Sequence, residues 1–214
     1  MRASPEAATA DPSPVAPARV LVVACGALAR ELDAALRLSR LEHVEVTCLP
    51  ATLHSRPERI PAAVATRIRA RRAAGQPVFV AYADCGTGGA LDRLLAEPEF
   101  AGIERLPGAH CYEFYAGAAA FAALAEEELG TFYLTDFLAK AFDRLVWTSL
   151  GLDRHPELRD LYFGSYRRVV HLAQTDDPAI RRKAEAAARR LGLAFESRPT
   201  GLAPFAGALA AGIA

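Results

Sequence analysis

The sequence predicts an α/β protein built on a mainly parallel, Rossmann-like layered sheet. Stretches of strand length that are rich in β-branched residues alternate along the chain with stretches of helical periodicity. The strand stretches are apolar throughout, which is typical of parallel strands covered by helices on both faces. Gly and Pro separate most of these stretches and mark the turns between them. We therefore expect one sheet with helices on both of its faces.

The first half of the chain contains four predicted strands with helices between them. The strands are RVLVVACG (19–26), HVEVTCLP (43–50), PVFVAYADCG (77–86) and a short strand within IERLPGAHCYEF (103–114). The intervening helices are ALARELDAALRLS (27–39), 55–75 and ALDRLLAEP (90–98). Pro50 closes the second strand, and Gly75 is a typical helix stop.

The second half is richer in helices. The pattern predicts helices at 116–129, 136–152 and 156–166, with TFYLT (131–135) as a short strand among them. A strand follows at 167–175, then a helix from about Pro178 to Arg190, capped by Thr175 or Asp176, and a last strand at 193–200. We expect the segment 116–166 to be a helical insertion that covers one face of the sheet or forms a small cap.

Composition limits the classes of function. The chain has 214 residues, of which 52% are hydrophobic, and its 25 basic and 25 acidic residues cancel. We expect a disordered tail at 1–18 and a single α/β domain at 19–214. Balanced charge argues against nucleic-acid and membrane partners. No apolar run is long enough to span a membrane, and the N-terminus lacks the apolar core of a signal peptide, so we expect a cytoplasmic protein with reduced cysteines.

Three of the four cysteines follow predicted strands. Cys25, Cys85 and Cys111 each lie where a strand gives way to a helix or loop, whereas Cys48 alternates within its strand and is expected to pack in the sheet. Ligands of parallel sheets bind beyond the carboxyl ends of the strands, so the three thiols are expected to converge. Three thiolates suit zinc with one open position, or an iron–sulfur cluster with one open iron as the alternative. A small buried thiol without function is the competing interpretation at each position.

Other residues near these cysteines extend the hypothesis. His54, in the loop LPATLHSRP, and His110, beside the third cysteine, are candidate further metal ligands. Tyr112 and Glu113 are candidates for a proton donor or a general base, with structural packing as the alternative.

The stretch GTGGA (86–90) raises the question of an anion site. Backbone amides of Gly86, Gly88 and Gly89 are candidates for binding an anionic cofactor at the start of a helix. The stretch lacks the Lys-Ser/Thr of a phosphate-binding loop and the GxGxxG spacing, so a tight turn is the favoured interpretation. Arg56 and Arg105 are weaker candidates for clamping an anionic substrate.

Aromatic residues concentrate between 132 and 166. The segment favours an ordinary core or a dimer face over a lid, and a homo-oligomer remains an alternative. These residues are Phe132, Tyr133, Phe137, Phe142, Trp147, Tyr162, Phe163 and Tyr166.

Several segments together resemble the bacterial and archaeal family DUF1638, whose function is uncharacterised. The segments are VVACGALARE, LPATLHSRPERI, VAYADCGTGG, GAHCYEFYAG and GTFYLTDF, in this order. The matching positions are Cys25, Gly26, Glu31, Leu53, His54, Pro57, Tyr82, Cys85, Gly86, Gly89, Cys111, Gly130, Thr131, Tyr133, Leu134 and Thr135. The resemblance covers roughly 19–200. Archaeal members have Asp before the third cysteine where this chain has His110, so the ligand set stays open.

The resemblance links the chain only loosely to one-carbon metabolism. Family members are often encoded beside corrinoid-dependent methyltransferases and methyltetrahydrofolate enzymes. The first hypothesis is therefore a metal-dependent enzyme that acts on a small molecule, by zinc-thiolate methyl transfer or by iron–sulfur Lewis-acid chemistry. The second is a non-catalytic metal-binding or accessory protein that docks on a corrinoid protein or methyltransferase, with the aromatic helices of 132–166 as its docking face.

Overall fold

A computed structural model describes residues 19–213, so the expected tail at 1–18 lies outside the described residues. The strands are β1 (Val20–Cys25), β2 (Val44–Leu49), β3 (Val78–Ala81), β4 (Glu104–Arg105), β5 (Thr131–Thr135), β6 (Arg168–Ala173) and β7 (Ala194–Pro199). The helices are α1 (Ala29–Leu38), α2 (Ile60–Arg71), α3 (Ala90–Leu95), α4 (Cys111–Ala116), α5 (Ala118–Glu127), α6 (Asp136–Phe142), α7 (Arg159–Phe163), α8 (Pro178–Leu191) and α9 (Ala203–Ile213). This pattern confirms the prediction of a parallel α/β fold.

The strands form two parallel sheets, so the expectation of a single sheet is wrong. The first sheet has the order β2-β1-β3-β4, and the second has the order β5-β6-β7. Every residue of β1 and β3 is buried, as expected for central strands with helices on both faces. The segment 116–166 is rich in helix as predicted, and it also contains β5, with which the second sheet begins.

Two hydrophobic clusters define two lobes. The first lobe packs 20–115 together with α9, and the second lobe packs 134–195. The helix α9, which the sequence reading did not identify, returns from the second lobe to pack on α1, α4 and β3. Its Gly212 lies so close to Phe79 that a β-carbon would stand 2.3 Å from the ring. The core of the first lobe is therefore built from residues near both ends of the described chain. That 19–214 form one domain stays a prediction.

Local chemistry explains where several helices begin and end. Pro178 occupies the first turn of α8, and Asp177 caps it by accepting a hydrogen bond from the Ala179 N–H at 2.7 Å. The cap is thus Asp177 rather than the predicted Thr175 or Asp176, because a proline at the first position places the cap on the residue before it. Gly192 ends α8 in the left-handed conformation, as predicted.

Two predicted helices differ in their detail. The helix expected over 55–75 starts only at Ile60, after two 3₁₀ turns at Ala51–Ser55 and Pro57–Arg59. The helix expected over 136–152 changes at Asp143 into a wider π-helical segment, Asp143–Thr148. Such widened segments are frequent at functional sites.

Within residues 19–213, no helix is both long enough and apolar enough to cross a membrane.

Candidate functional site

Cys25 is the last residue of β1 and is almost fully buried. Its sulfur accepts a hydrogen bond from the Ala27 N–H at 3.3 Å, at the start of the turn that leads into α1. Gly26 follows because a β-carbon there would lie 2.8 Å from the Leu49 carbonyl oxygen at the end of β2. Burial raises the pKa of the Cys25 thiol to about 11, and the hydrogen bond from Ala27 opposes that rise only in part.

Cys85 lies in the loop between β3 and α3 and is held in an unusual backbone conformation. Its φ is +52°, in the left-handed region that residues with a β-carbon rarely occupy. Such a conformation persists where the surrounding structure imposes it, and it is often found at functional positions. Burial first, and then the neighbouring Cys25, raise the pKa of the Cys85 thiol to about 12.

Cys111 is the first residue of α4 and is half-buried. Two backbone hydrogen bonds tie the preceding loop to the Cys85 loop: Asp84 N–H to the Gly108 carbonyl at 3.1 Å, and Cys85 N–H to the Ala109 carbonyl at 2.8 Å. Burial raises the pKa of the Cys111 thiol, and the charges of Cys85 and Cys25 raise it further. The structure therefore brings the three thiols close enough that each ionisation would oppose the others.

His54 approaches the same place from the turn after β2. Its Nδ1 lies 3.7 Å from the Cys25 sulfur and 3.2 Å from the Ala51 carbonyl oxygen. A carbonyl can only accept, so this second contact assigns the proton to Nδ1 and leaves a lone pair on Nε2. His54 is exposed on one side. Protein atoms surround the rest of the ring and exclude water from it, which lowers the pKa of His54. A neutral imidazole with a free Nε2 is a suitable metal ligand.

Tyr82 contributes a buried hydroxyl that the sequence did not single out as functional. The residue is fully buried, and its hydroxyl oxygen makes no well-formed hydrogen bond with residues 19–213. Burial and the adjacent Cys25 both raise the pKa of the phenol, so it keeps its proton. The ring stacks on His54 with the centroids 6.4 Å apart. A buried donor without a partner requires an explanation, since such groups are rare in native proteins.

The residues around Cys111 have different positions in the site. Glu113 accepts a hydrogen bond from the Ala109 N–H at 2.7 Å, so its carboxylate closes the start of α4 in the manner of a capping box. His110 is exposed, lies 3.8 Å from the Glu113 carboxylate and stacks on Tyr112. The pKa of Tyr112 is raised by burial and by Cys111, which suits a proton donor better than a general base. The catalytic roles stay predictions.

The glycine loop binds a carboxylate of its own. The Asp84 side chain accepts hydrogen bonds from the Gly88 N–H at 3.0 Å, the Gly89 N–H at 2.8 Å and the Thr87 hydroxyl at 2.5 Å. Gly86, Gly88 and Gly89 all have positive φ, which supports the favoured interpretation of a tight turn. Two of the three amides predicted to bind a cofactor are therefore already occupied, because Asp84 is the anion that they bind.

The candidate arginines are not arranged as a clamp. Arg105 pairs with Asp92, with Nη2 2.8 Å from Oδ2, and its Nη1 donates to the Leu106 carbonyl at 2.6 Å and the Gly108 carbonyl at 3.3 Å. It thereby supports the loop that leads to Cys111. Arg56 is exposed.

Cys48 takes the place in the sheet that its alternating pattern predicts. It lies in β2 beside Ala24 of β1, is half-buried, and its carbonyl accepts a hydrogen bond from Arg67.

A cavity of about 450 Å³ opens beside the thiols, between the two lobes. The first lobe contributes residues that follow the carboxyl ends of its strands: Ala27, Ala51, His54, Ser55, Cys111 and Tyr112. The second lobe contributes Phe132, Thr135, Phe137, Leu138, Leu145, Val146, Ser149, Leu150 and Phe163. The cavity therefore lies where parallel sheets ordinarily bind ligands, and its volume is ordinary for a ligand site.

A buried hydrogen bond in the second lobe does not follow from the sequence pattern. His171 Nε2 donates to Asp136 Oδ1 at 2.9 Å, and both side chains are 1% exposed. The Asp136 carboxylate also accepts hydrogen bonds from Gln174 and Thr175, so it joins the ends of β5 and β6. Burial alone would raise the pKa of Asp136. The hydrogen bonds from His171 and Thr175 have a larger effect in the opposite direction, so the pKa of Asp136 lies below its ordinary value. The available signal was a histidine within the apolar strand RRVVHLAQT.

The aromatic residues of 132–166 are mostly internal. Phe132, Phe137 and Phe163 line the cavity, and Phe142 and Trp147 are buried in the second core. Among the eight aromatic residues of this segment, only Tyr162 is largely exposed.

No group of three or more His, Cys, Asp or Glu side chains in residues 19–213 is spaced as a metal-bound set would be. The three thiols would have to turn toward one another to share an ion. Rotation about the single Cα–Cβ bond of each cysteine moves its sulfur between staggered positions without moving the backbone.

Comparison with known proteins identifies the family. A family model described as "Protein of unknown function (DUF1638)" matches residues 48–209, more than half of the chain. The matched residues include His54, Cys85 and Cys111, whereas Cys25 precedes them. No curated protein and no solved structure matches the chain. The chain therefore belongs to the DUF1638 family, which the sequence segments resemble.

Proposed function

We propose that Cys25, Cys85 and Cys111 bind one soft metal ion, with zinc favoured, and that the protein is an enzyme acting on a small molecule in the adjacent cavity. The observation that carries the proposal is that three thiols from three separate parts of the chain lie close enough to affect one another's ionisation, and that one of them, Cys111, lines the cavity. One such thiol is ordinary packing, but three that perturb one another's ionisation form an electrostatic unit.

The raised pKa values of the thiols suit a metal site. Without a cation, burial and mutual repulsion keep the thiols protonated at neutral pH. A divalent cation reverses that balance, because a thiol that coordinates a metal loses its proton. The site would thus be neutral and stable without metal and would release protons as metal binds.

The unpartnered hydroxyl of Tyr82 supports the same assignment. A neutral thiol is a weak acceptor, whereas a thiolate is a strong one. Ionisation of Cys25 would therefore turn the sulfur beside the Tyr82 O–H into a strong acceptor for it. The N–H of Ala27 already donates to the same sulfur.

The proposed coordination leaves one position open for chemistry. Three thiolates fill three positions of a tetrahedral zinc ion, and the fourth is available to His54 Nε2 or to a substrate atom. A metal-bound thiolate or water would be a nucleophile at neutral pH. In a one-carbon setting, the thiolate sulfur would attack the methyl carbon of a methyl donor, and the bond from that carbon to the donor would break, with the electron pair leaving on the donor. An iron–sulfur cluster with an open iron, acting as a Lewis acid, is the alternative cofactor. The site requires reduced thiols, for which we propose a cytoplasmic location.

Metal analysis tests the proposal, and Cys48 provides a matched control. We would purify the protein without oxygen, measure metal content by mass spectrometry and record the visible spectrum. We expect one zinc ion per chain in the wild type and in Cys48→Ser. Cys25→Ser, Cys85→Ser and Cys111→Ser should each bind zinc more weakly and therefore contain less than one ion per chain after purification. A brown protein with iron and sulfide would select the cluster instead.

Two results would reject the proposal. One is a wild-type protein that takes up neither zinc nor iron when either is supplied. The other is metal binding that survives replacement of all three thiols by serine. The accessory-protein hypothesis would gain if the metal site is present and the cavity takes no small molecule. It would then need a docking surface other than the aromatic residues of 132–166, because most of these are internal.

A further inference from the structure

Among residues 19–213, none of those that line the cavity between the lobes is an acidic or basic residue with a permanent charge. Its fifteen lining residues include no Asp, Glu, Lys or Arg. The nearest candidate for binding an anionic substrate, Arg105, is occupied by Asp92 and by two carbonyl oxygens of its own loop. An ionised ligand group that enters such a site leaves water without gaining an opposite charge, which is strongly unfavourable.

The polar and apolar parts of the wall lie on opposite sides. The first lobe supplies His54, Ser55, Cys111 and Tyr112, whereas the second lobe supplies seven large apolar side chains. The two hydroxyls of the second lobe are used internally. The Thr135 hydroxyl accepts from the Leu138 N–H at 3.2 Å, and the Ser149 hydroxyl donates to the Leu145 carbonyl at 2.5 Å.

The apolar side owes part of its shape to the π-helical segment Asp143–Thr148. This wider turn carries Leu145 and Val146, which both line the cavity. Because π-helical turns are less stable than α-helical ones and tend to persist where they serve a site, its position at the cavity is consistent with ligand binding.

From this arrangement we propose that the cavity binds an uncharged, mostly apolar small molecule that carries one soft or weakly polar atom, such as a thioether. The apolar body packs against the second lobe, and the soft atom faces Cys111. The proposal rests on the function proposed above for the role of the thiols, but the binding preference follows from the cavity wall alone. The wall of the cavity disfavours a small carboxylate as the ligand.

Two aromatic probes of similar size, one neutral and one negatively charged, test this inference. Thioanisole is a neutral aromatic thioether, and benzoate is its charged counterpart. We would measure the binding of both to the full-length protein by saturation-transfer NMR and by isothermal titration calorimetry. We expect thioanisole to bind at least about tenfold more tightly than benzoate, because the cavity compensates no ligand charge.

Filling the cavity should abolish binding. Leu145→Trp fills it from the second lobe and Ala27→Leu fills it from the first, and thermal unfolding checks that each variant folds. Leu161→Trp is the control, because Leu161 is 75% exposed and lies outside the cavity. We expect thioanisole binding to be lost in the two filled variants and kept in the control, while metal content is unchanged in all three.

The inference is overturned if benzoate binds as tightly as thioanisole, if neither probe binds, or if both folded cavity-filling variants still bind thioanisole. Metal analysis separates these results from failure of the proposed function. A protein that binds zinc but prefers benzoate refutes only the ligand class, and one that binds thioanisole but no metal refutes only the thiol site.

Discussion

The number of protons that a metal displaces is the sharpest consequence of the buried thiols. Burial raises the pKa of Cys25 to about 11 and that of Cys85 to about 12, and the pKa of Cys111 is raised as well. All three thiols are therefore protonated between pH 6 and 8. A metal that binds all three must displace three protons, so its apparent affinity should rise about a thousandfold per pH unit.

His54 should add little to this dependence. Desolvation lowers its pKa, which reduces the share of the imidazole that carries a proton for the metal to displace. The dependence on pH therefore counts thiols, whether or not the histidine is a ligand.

The assay is a competition between the protein and a chelator of known proton affinity, at several pH values between 6 and 7.5. Isothermal titration in two buffers of different ionisation enthalpy gives the proton count independently. Cys111→Ser should lower the count from three to two and the dependence to about a hundredfold per pH unit. Cys48→Ser should leave both at the wild-type values.

A wild-type count of one or less would refute the reasoning, because a metal bound by three raised-pKa thiols cannot displace fewer protons. A count of three that is unchanged in Cys111→Ser would also refute it, since the protons would then come from other groups.

Three further predictions concern the metal-free protein. Cys85→Gly should be more stable than Cys85→Ala by about 1 kcal/mol in urea unfolding, because both lose the thiol but only glycine accepts a φ of +52° without strain; equal stability would show that the conformation is not strained. The raised pKa of Cys25 stabilises the folded state fully below pH 9.0. As pH rises from 9.0 to about 11, this thiol should lower the free energy of unfolding by about 2.7 kcal/mol, which unfolding at each pH would show by comparison with Cys25→Ala. Asp136→Ala should destabilise the protein by about 1–3 kcal/mol, because it leaves the His171 N–H and two backbone N–H groups without their acceptor, and a loss below about 0.5 kcal/mol in urea unfolding would contradict this assignment.

Part of the candidate site follows from the sequence because its cause is local. A strand that ends in Cys-Gly and leads into a helix places its thiol at the carboxyl edge of a parallel sheet, wherever the strand lies in that sheet. Cys25 could be placed in this way, whereas β3 ends at Ala81 rather than at the predicted Gly86, so Cys85 lies in the loop beyond the strand. The mostly apolar, β-branched strands predicted the parallel α/β fold. The glycines of GTGGA predicted the tight turn after Cys85 for the same reason, since their conformational freedom is a local property.

Only the tertiary structure decided how these pieces combine. A uniformly apolar strand fits any interior position, so nothing local divides seven strands into sheets of four and three or returns α9 to the first lobe. The engagement of Glu113 with Ala109 and the burial of His171 against Asp136 depend on contacts between distant parts of the chain or on loop geometry, which periodicity does not encode. The cavity between the lobes depends on such contacts most of all: the sequence determined that three thiols follow strands of the first lobe, and long-range packing decided that a cavity without charged lining residues in 19–213 lies beside Cys111.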